Sequence, residues 1–152
     1  MKTIEQLLPD HPFFAGLAPE TIELIAGCAG NIHVGPGQYL FHEDDPADAV
    51  YLVRSGRVAL QVRTPTADAV LDAIHEGDVI GWSWLVPPYR WTFDARATEE
   101  TSLVAFEATC LREKCQRDAT VGYELLTHVV QVMATRLHSA RVRLLDMYGN
   151  PT

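Results

Sequence analysis

The side chains best equipped for chemistry fall in one short window. From Gly81 to Phe93 the chain reads Gly-Trp-Ser-Trp-Leu-Val-Pro-Pro-Tyr-Arg-Trp-Thr-Phe. It holds all 3 tryptophans of the protein (Trp82, Trp84 and Trp91), with Tyr89, Phe93 and a single cation, Arg90. A glycine after the apolar pair Val79-Ile80 lets the backbone turn tightly, and a short helix starting near Ser83 would offer its amide groups to an anion. A guanidinium among flat aromatic walls suits a planar or apolar ligand with a negative group, which Arg90 would anchor. The same rings could instead fill an interior as core. The Pro87-Pro88 pair indicates a rigid, specified loop under either reading.

Elsewhere the chemistry-bearing residues do not cluster. His11, His33, His42, His75, His128 and His138 are dispersed, and neither His42-Glu43 nor His75-Glu76 has the second histidine that a metal-binding His-x-His pattern needs, so no metal centre is expected. Asp44, Asp45 and Asp48 read as an acidic surface turn. No Gly-x-Ser-x-Gly elbow and no P-loop occurs, and the expectation is a binding protein without a cofactor, not an enzyme. Cys28, Cys110 and Cys115 are odd in number and form no C-x-x-C pair; they are expected to stay as thiols, outside any disulfide framework or zinc knuckle.

The 152 residues, 47% apolar, support one domain or a domain with an appended helix. The formal charge is −8, but unevenly spread: residues 1–50 hold 8 acids and one base, Lys2, and the rest of the chain is close to neutral. A phosphate-binding surface in that first third is excluded, because neutralising a polyanion takes clustered cations. Arginine supplies 10 of the 12 bases, the choice for cations of fixed geometry at selected places. No signal-peptide run and no apolar stretch of spanning length occurs, so a cytoplasmic protein away from membranes is expected.

The elements that must position the window follow from periodicity. The opening is helical up to a turn at His11-Pro12, and a second helix runs from Pro19 to Gly27, with Glu20 and Glu23 near its N-terminal end. Short segments rich in Tyr, Val, Leu and Phe at 38–42, 49–53, 57–63 and 69–75 read as strands, with Thr64-Pro65-Thr66 as a hairpin tip. A strand is also placed at Ala97–Thr101 and a last one at 101–106, giving an antiparallel barrel or sandwich. From about Ala119 to Met147 apolar residues recur at near-heptad steps (Gly122, Leu126, Val129, Met133, Leu137, Ala140, Leu144, Met147), and Gly149-Asn150-Pro151 would stop the helix. Such a helix outruns a domain of this size, and pairing with a second copy is favoured over folding back. Arg136, Arg141 and Arg143 read as salt-bridging residues on its solvated face.

Three segments together resemble the cyclic-nucleotide-binding domain of the catabolite-activator superfamily. They are His11-Pro12-Phe13-Phe14-Ala15-Gly16-Leu17-Ala18-Pro19-Glu20; Gly37-Gln38-Tyr39-Leu40-Phe41 with Ala47 to Val58; and Leu71, Ile74 and Gly77-Asp78-Val79-Ile80-Gly81. The resemblance implies a mainly β fold with flanking helices: an eight-stranded double-stranded β-helix (jelly roll) over residues 1–118, and a long C-terminal helix over 119–152 that serves dimerisation and covers the ligand. It also implies a phosphate-binding cassette beginning at Gly81. In the resembled family a glutamate follows that glycine and accepts a ribose hydroxyl; some ten residues on, an arginine pairs with the cyclic phosphate. Here Trp82 stands in the glutamate's place and Trp91 in the arginine's, with Arg90 one residue away and Arg96 as the other candidate.

The expected site is therefore Gly81, Trp82, Ser83, Arg90, Trp91 and Thr92. The expected function is a stand-alone sensor domain that takes a small anionic ligand, cyclic AMP, cyclic GMP or a relative, and signals as a homodimer through its terminal helix. The alternative is a degenerate domain, its pocket filled by aromatic rings, serving as a protein-interaction or regulatory subunit. Regulators of the resembled family carry a helix-turn-helix after the long helix, where this sequence stops, so no direct contact with DNA is expected.

Overall fold

A computed structural model of the chain describes residues 4–11 and 13–148. Pro12 and the expected stop at Gly149-Asn150-Pro151 lie outside the described residues. A short helix α1 (Ile4–Leu7) leads through a single 3-10 turn, Leu8–Asp10, to α2 (Pro19–Ala26). Pro19 occupies the first turn of α2, where its missing N–H costs nothing. Then follow β1 (Ala29–Val34), β2 (Tyr39–Phe41), β3 (Ala49–Ser55), β4 (Arg57–Arg63), β5 (Asp68–His75), β6 (Val79–Ile80), β7 (Asp94–Ala97) and β8 (Thr101–Glu107), and the chain closes with α3 (Ala108–Arg117) and α4 (Ala119–Tyr148).

The strands form two antiparallel sheets, ordered β1-β8-β3-β6 and β2-β7-β4-β5, the jelly-roll arrangement. The segments expected at 38–42, 49–53, 57–63 and 69–75 are β2 to β5. The strand placed at Ala97–Thr101 is corrected: Thr98, Glu99 and Glu100 form the turn between β7 and β8. Strand β3 buries Val50, Leu52 and Val53 and β4 buries Val58 to Gln61, and the two are joined by a turn at Gly56, whose φ of 100° and whose missing Cβ, which would stand 2.5 Å from the Glu100 carbonyl oxygen, admit no other residue cheaply.

Two apolar cores result. One fills the roll, with Phe41, Val53, Val58, Leu60, Ile80, Trp91 and Leu103. The other lies between the first sheet and the helices, with Leu8, Phe14, Ile25, Trp84, Phe106, Leu111, Val121 and Leu125. Asp118 separates α3 from α4, its carboxylate oxygen accepting from the amides of Thr120 and Val121 at 3.0 and 3.3 Å. Helix α4 buries Val121, Leu125 and Val129 and then continues along the flank of the second sheet, exposed beyond Val129 except at half-buried Val132 and Arg136.

The cysteines correct an expectation. Cys28, just after α2, is joined to Cys110 in the first turn of α3 by a disulfide, their Cα atoms 5.7 Å apart, and Cys115 alone remains a thiol. The fold brings together residues 82 positions apart, which spacing in the sequence cannot reveal.

Candidate functional site

Strand β6 delivers the chain to Gly81. The β5–β6 turn is held by Asp78, whose carboxylate accepts from the His75 amide at 3.1 Å, and β6 pairs with β3 through Ile80 opposite Tyr51. At Gly81 (φ 113°) the backbone leaves the sheet. The short helix expected near Ser83 does not form. Residues 82–89 make successive turns, closed by the Leu85 amide on the Trp82 carbonyl and the Tyr89 amide on the Val86 carbonyl, each at 3.0 Å. The Pro87-Pro88 bond is cis, Tyr89 adopts φ 58°, and residues 89–91 are then tied to the 44–47 loop by three backbone hydrogen bonds.

This path sends the three indoles to three different places. Trp91 points into the roll and stacks on Phe41 at 3.7 Å between centroids and 6° between planes, with Tyr51 farther off at 6.4 Å. Its ring lies against Gly81: a Cβ there would sit 2.8 Å from Trp91 Cη2. Trp84 enters the helix-side core, and its carbonyl accepts from Arg112 at 2.6 Å. Trp82 stays partly exposed and faces α4 across an open cleft, with Phe93 beside it.

The six expected site residues are thus not one anion cradle. Gly81 and Trp91 touch each other, and the indole occupies the space next to the glycine. Ser83 is buried, with no hydrogen-bond partner for its hydroxyl among the described residues. Arg90 donates to the Asp44 carbonyl at 2.6 Å, Arg96 lies over the Tyr39 ring at 5.8 Å, and Thr92 is exposed. For Trp91, the reading of rings as core is the one that holds.

What the structure offers in place of that cradle is the cleft between the roll and α4, about 480 Å³ in volume. Leu60, Val70 and Leu71 of β4 and β5, with Trp82 and Phe93, make one side; Ala140, Leu144 and Met147 of α4 make the other. Two guanidiniums line it. Arg136 donates to the Val79 carbonyl, and Arg143 donates to the Leu71 carbonyl at 2.8 Å. The expectation that these two arginines form salt bridges on a solvated face is therefore corrected: among the described residues neither has a carboxylate within ion-pair distance, and both tether α4 to the edge of the roll. Burial lowers the Arg136 pKa, opposed by Asp72 and Asp78 nearby. Sequence reasoning missed this pair, whose only signal is spacing: Arg136 and Arg143 lie 7 apart, on one helix face with Ala140 between them.

Residues 31–118 match the model of the cyclic nucleotide-binding domain. The HTH-type transcriptional regulator Cmr of Mycobacterium tuberculosis is 30% identical over 142 residues, covering 90% of this chain and 55% of that protein. The cyclic AMP receptor protein of Thermus thermophilus is 28% identical, covering 88% of this chain and 60% of its own length. Both relatives are thus considerably longer than the matched chain. Among solved structures, a Geobacter metallireducens protein described as cyclic nucleotide-binding superposes with a TM-score of 0.81 at 29% identity, covering 91% of this chain and all of that one.

Proposed function

Because the chain belongs to the cyclic nucleotide-binding domain family, we propose that it is a sensor in which a small anionic ligand occupies the cleft between the roll and α4 and sets how that helix docks. One observation carries this reading: the guanidiniums that line the cleft, Arg136 and Arg143, are also the groups that tether α4 to β5 and β6. An anion arriving in the cleft competes with the Val79 and Leu71 carbonyls for the same donors, and a charged acceptor wins over a neutral one. Ligand binding and helix position are then coupled through shared hydrogen bonds, which gives the ligand the differential contacts a switch requires. Output passes through α4, whose outward face pairs with a second copy.

Cyclic AMP and cyclic GMP are the probes the family suggests first. Trp91 beside Gly81 and Trp82 in the place of the family glutamate argue for weak binding in the outer cleft in place of binding at the cassette that begins at Gly81. Regulation by way of a protein that contacts DNA, as the name of the Mycobacterium tuberculosis relative suggests, fits this role; direct binding of DNA by this region does not, since its acidic first third and the few arginines of α4 offer no extended phosphate-binding face.

The test is a panel of small anions, cyclic nucleotides first, read by melting temperature and by amide hydrogen exchange over residues 133–148. A bound ligand raises the melting temperature and changes exchange in that stretch, and Arg136→Gln abolishes both effects. If no anion does either, the sensor reading fails. The alternative, a protein-interaction subunit with a filled pocket, then gains from the burial of Trp91 and the exposed face of α4.

A further inference from the structure

We propose that the ligand of the cleft is an apolar monocarboxylate, an aromatic or medium-chain acid, and that it is preferred over any cyclic nucleotide. This rests on the sensor reading above and names the class of ligand that the same site takes.

Charge comes first. The lining holds two guanidiniums, Arg136 and Arg143, and one carboxylate, Asp72, a surplus of a single positive charge. Each guanidinium spends one donor on a backbone carbonyl out of the five it carries. A carboxylate is planar and matches two parallel N–H groups of such a fork. A monoanion therefore neutralises the cleft and satisfies donors that the fold leaves over.

The walls then define the rest of the molecule. Apart from those three charged residues, every lining side chain is apolar or aromatic; no hydroxyl or carboxamide side chain is among them. A nucleotide would bring ribose hydroxyls and ring nitrogens into contact with Leu60, Val70, Leu71 and Leu144, where, beyond the two guanidiniums that its phosphate would engage, only Asp72 and the Trp82 indole N–H could answer them. Polar groups desolvated without partners weaken binding. An apolar body has the opposite balance. Val70 is 60% exposed, Leu71 45% and Leu144 55%, so the cleft presents unusually bare hydrocarbon that an acyl chain or fused ring would cover. Trp82 and Phe93 add flat faces for a ring to lie against. A volume of about 480 Å³ suits a small-molecule ligand.

The experiment is isothermal titration of the full chain with decanoate and with naphthoate, both below micelle-forming concentrations, beside decanol and cyclic AMP. One acid binds per chain, and decanol and cyclic AMP each bind at least about tenfold more weakly than the better acid. Arg143→Gln, at an exposed position outside both apolar cores, weakens the acid about tenfold more than it weakens decanol; Trp82→Ala weakens both. Arg117→Gln, on α3 away from the cleft, changes nothing. If the acids bind no better than decanol, or if Arg143→Gln leaves their affinity untouched, the proposal is overturned. Cyclic AMP binding more tightly than both acids overturns this ligand class while the sensor reading survives. Silence from acids and nucleotides alike removes both.

Discussion

The contact between Gly81 and Trp91 decides what the cassette can hold. At φ 113° the glycine occupies a backbone region that side chains avoid, and its missing Cβ leaves the room that the Trp91 ring takes. Gly81→Ala should cost about 2–4 kcal/mol from backbone strain and overpacking together, and Trp91→Ala about 3–5 kcal/mol from the cavity it leaves. The two act on one contact, so the double variant is expected to fall short of their sum by about 1 kcal/mol or more, since the alanine methyl no longer meets a ring. Urea denaturation of the three variants measures this, and strict additivity would mean the ring is not held against the glycine. His11 makes a second residue-scale case. It is buried, its Nδ1 accepts from the Phe13 amide at 3.2 Å, and burial lowers its pKa against the pull of the Val53 carbonyl, Asp78 and Glu76. The unfolded chain, with an ordinary histidine near 6.5, therefore binds the proton more readily. Stability should be full above that value and decline as pH falls below it toward the depressed folded value. Stability curves at several pH values check this, and His11→Gln should flatten the slope.

At the level of elements, the disulfide pins the end of α2 to the first turn of α3, and α3 in turn packs on α4. A crosslink enclosing a separation of 82 residues removes a large loop-closure entropy from the unfolded chain. Reduction, or the Cys28→Ser/Cys110→Ser pair, should lower the unfolding free energy by about 2–5 kcal/mol. Cys115→Ser should cost about 1 kcal/mol or less. Urea titrations with and without reductant separate the two. The elements differ in how plainly the sequence announces them. Strand β4 could be read because its ends are charged and Val58, Leu60 and Val62 alternate between them. Strand β1 was not legible: Gly30, Asn31, Ile32 and His33 are all exposed on an edge strand paired only with β8, so no hydrophobic period marks it. Strand β7 hides behind the buried Asp94, whose carboxylate accepts from the Glu43 amide and from Arg63. The aromatic window was visible as a unit, but its partition was not. Neighbouring indoles go to the roll, the helix-side core and the cleft because of turns that only tertiary contacts fix. Arg136 and Arg143 resembled solvated helix residues for a related reason, since nothing local announces that the edge of β5 runs beside that face.

For the whole molecule, the open question is what covers α4. Its 30 residues extend roughly 45 Å. Tyr123, Leu126, Val130, Met133 and Leu137, at heptad steps, are 72%, 48%, 52%, 40% and 53% exposed. An apolar stripe of this length, continued by Tyr148 at 79%, is unusual on a solitary soluble surface. In the dimer proposed above, a second copy of the same helix would match it, because a heptad stripe is complementary to itself about a twofold axis. Val130→Glu with Leu137→Glu should weaken such a dimer by about a hundredfold or more, since each places a charge in the apolar seam, while circular dichroism and melting of the separated chains change little. Salt adds a sharper test. The formal charge of −8 lies mostly in residues 1–50, and the seam itself carries no ionised side chain at those five positions. Dimer affinity measured by sedimentation should therefore stay nearly constant, or rise slightly as mutual repulsion is screened, when ionic strength is increased. Association through Arg136, Arg141 and Arg143 with a polyanion would do the reverse and fall steeply with salt. A steep fall would place the arginines, and not the apolar stripe, at the interface.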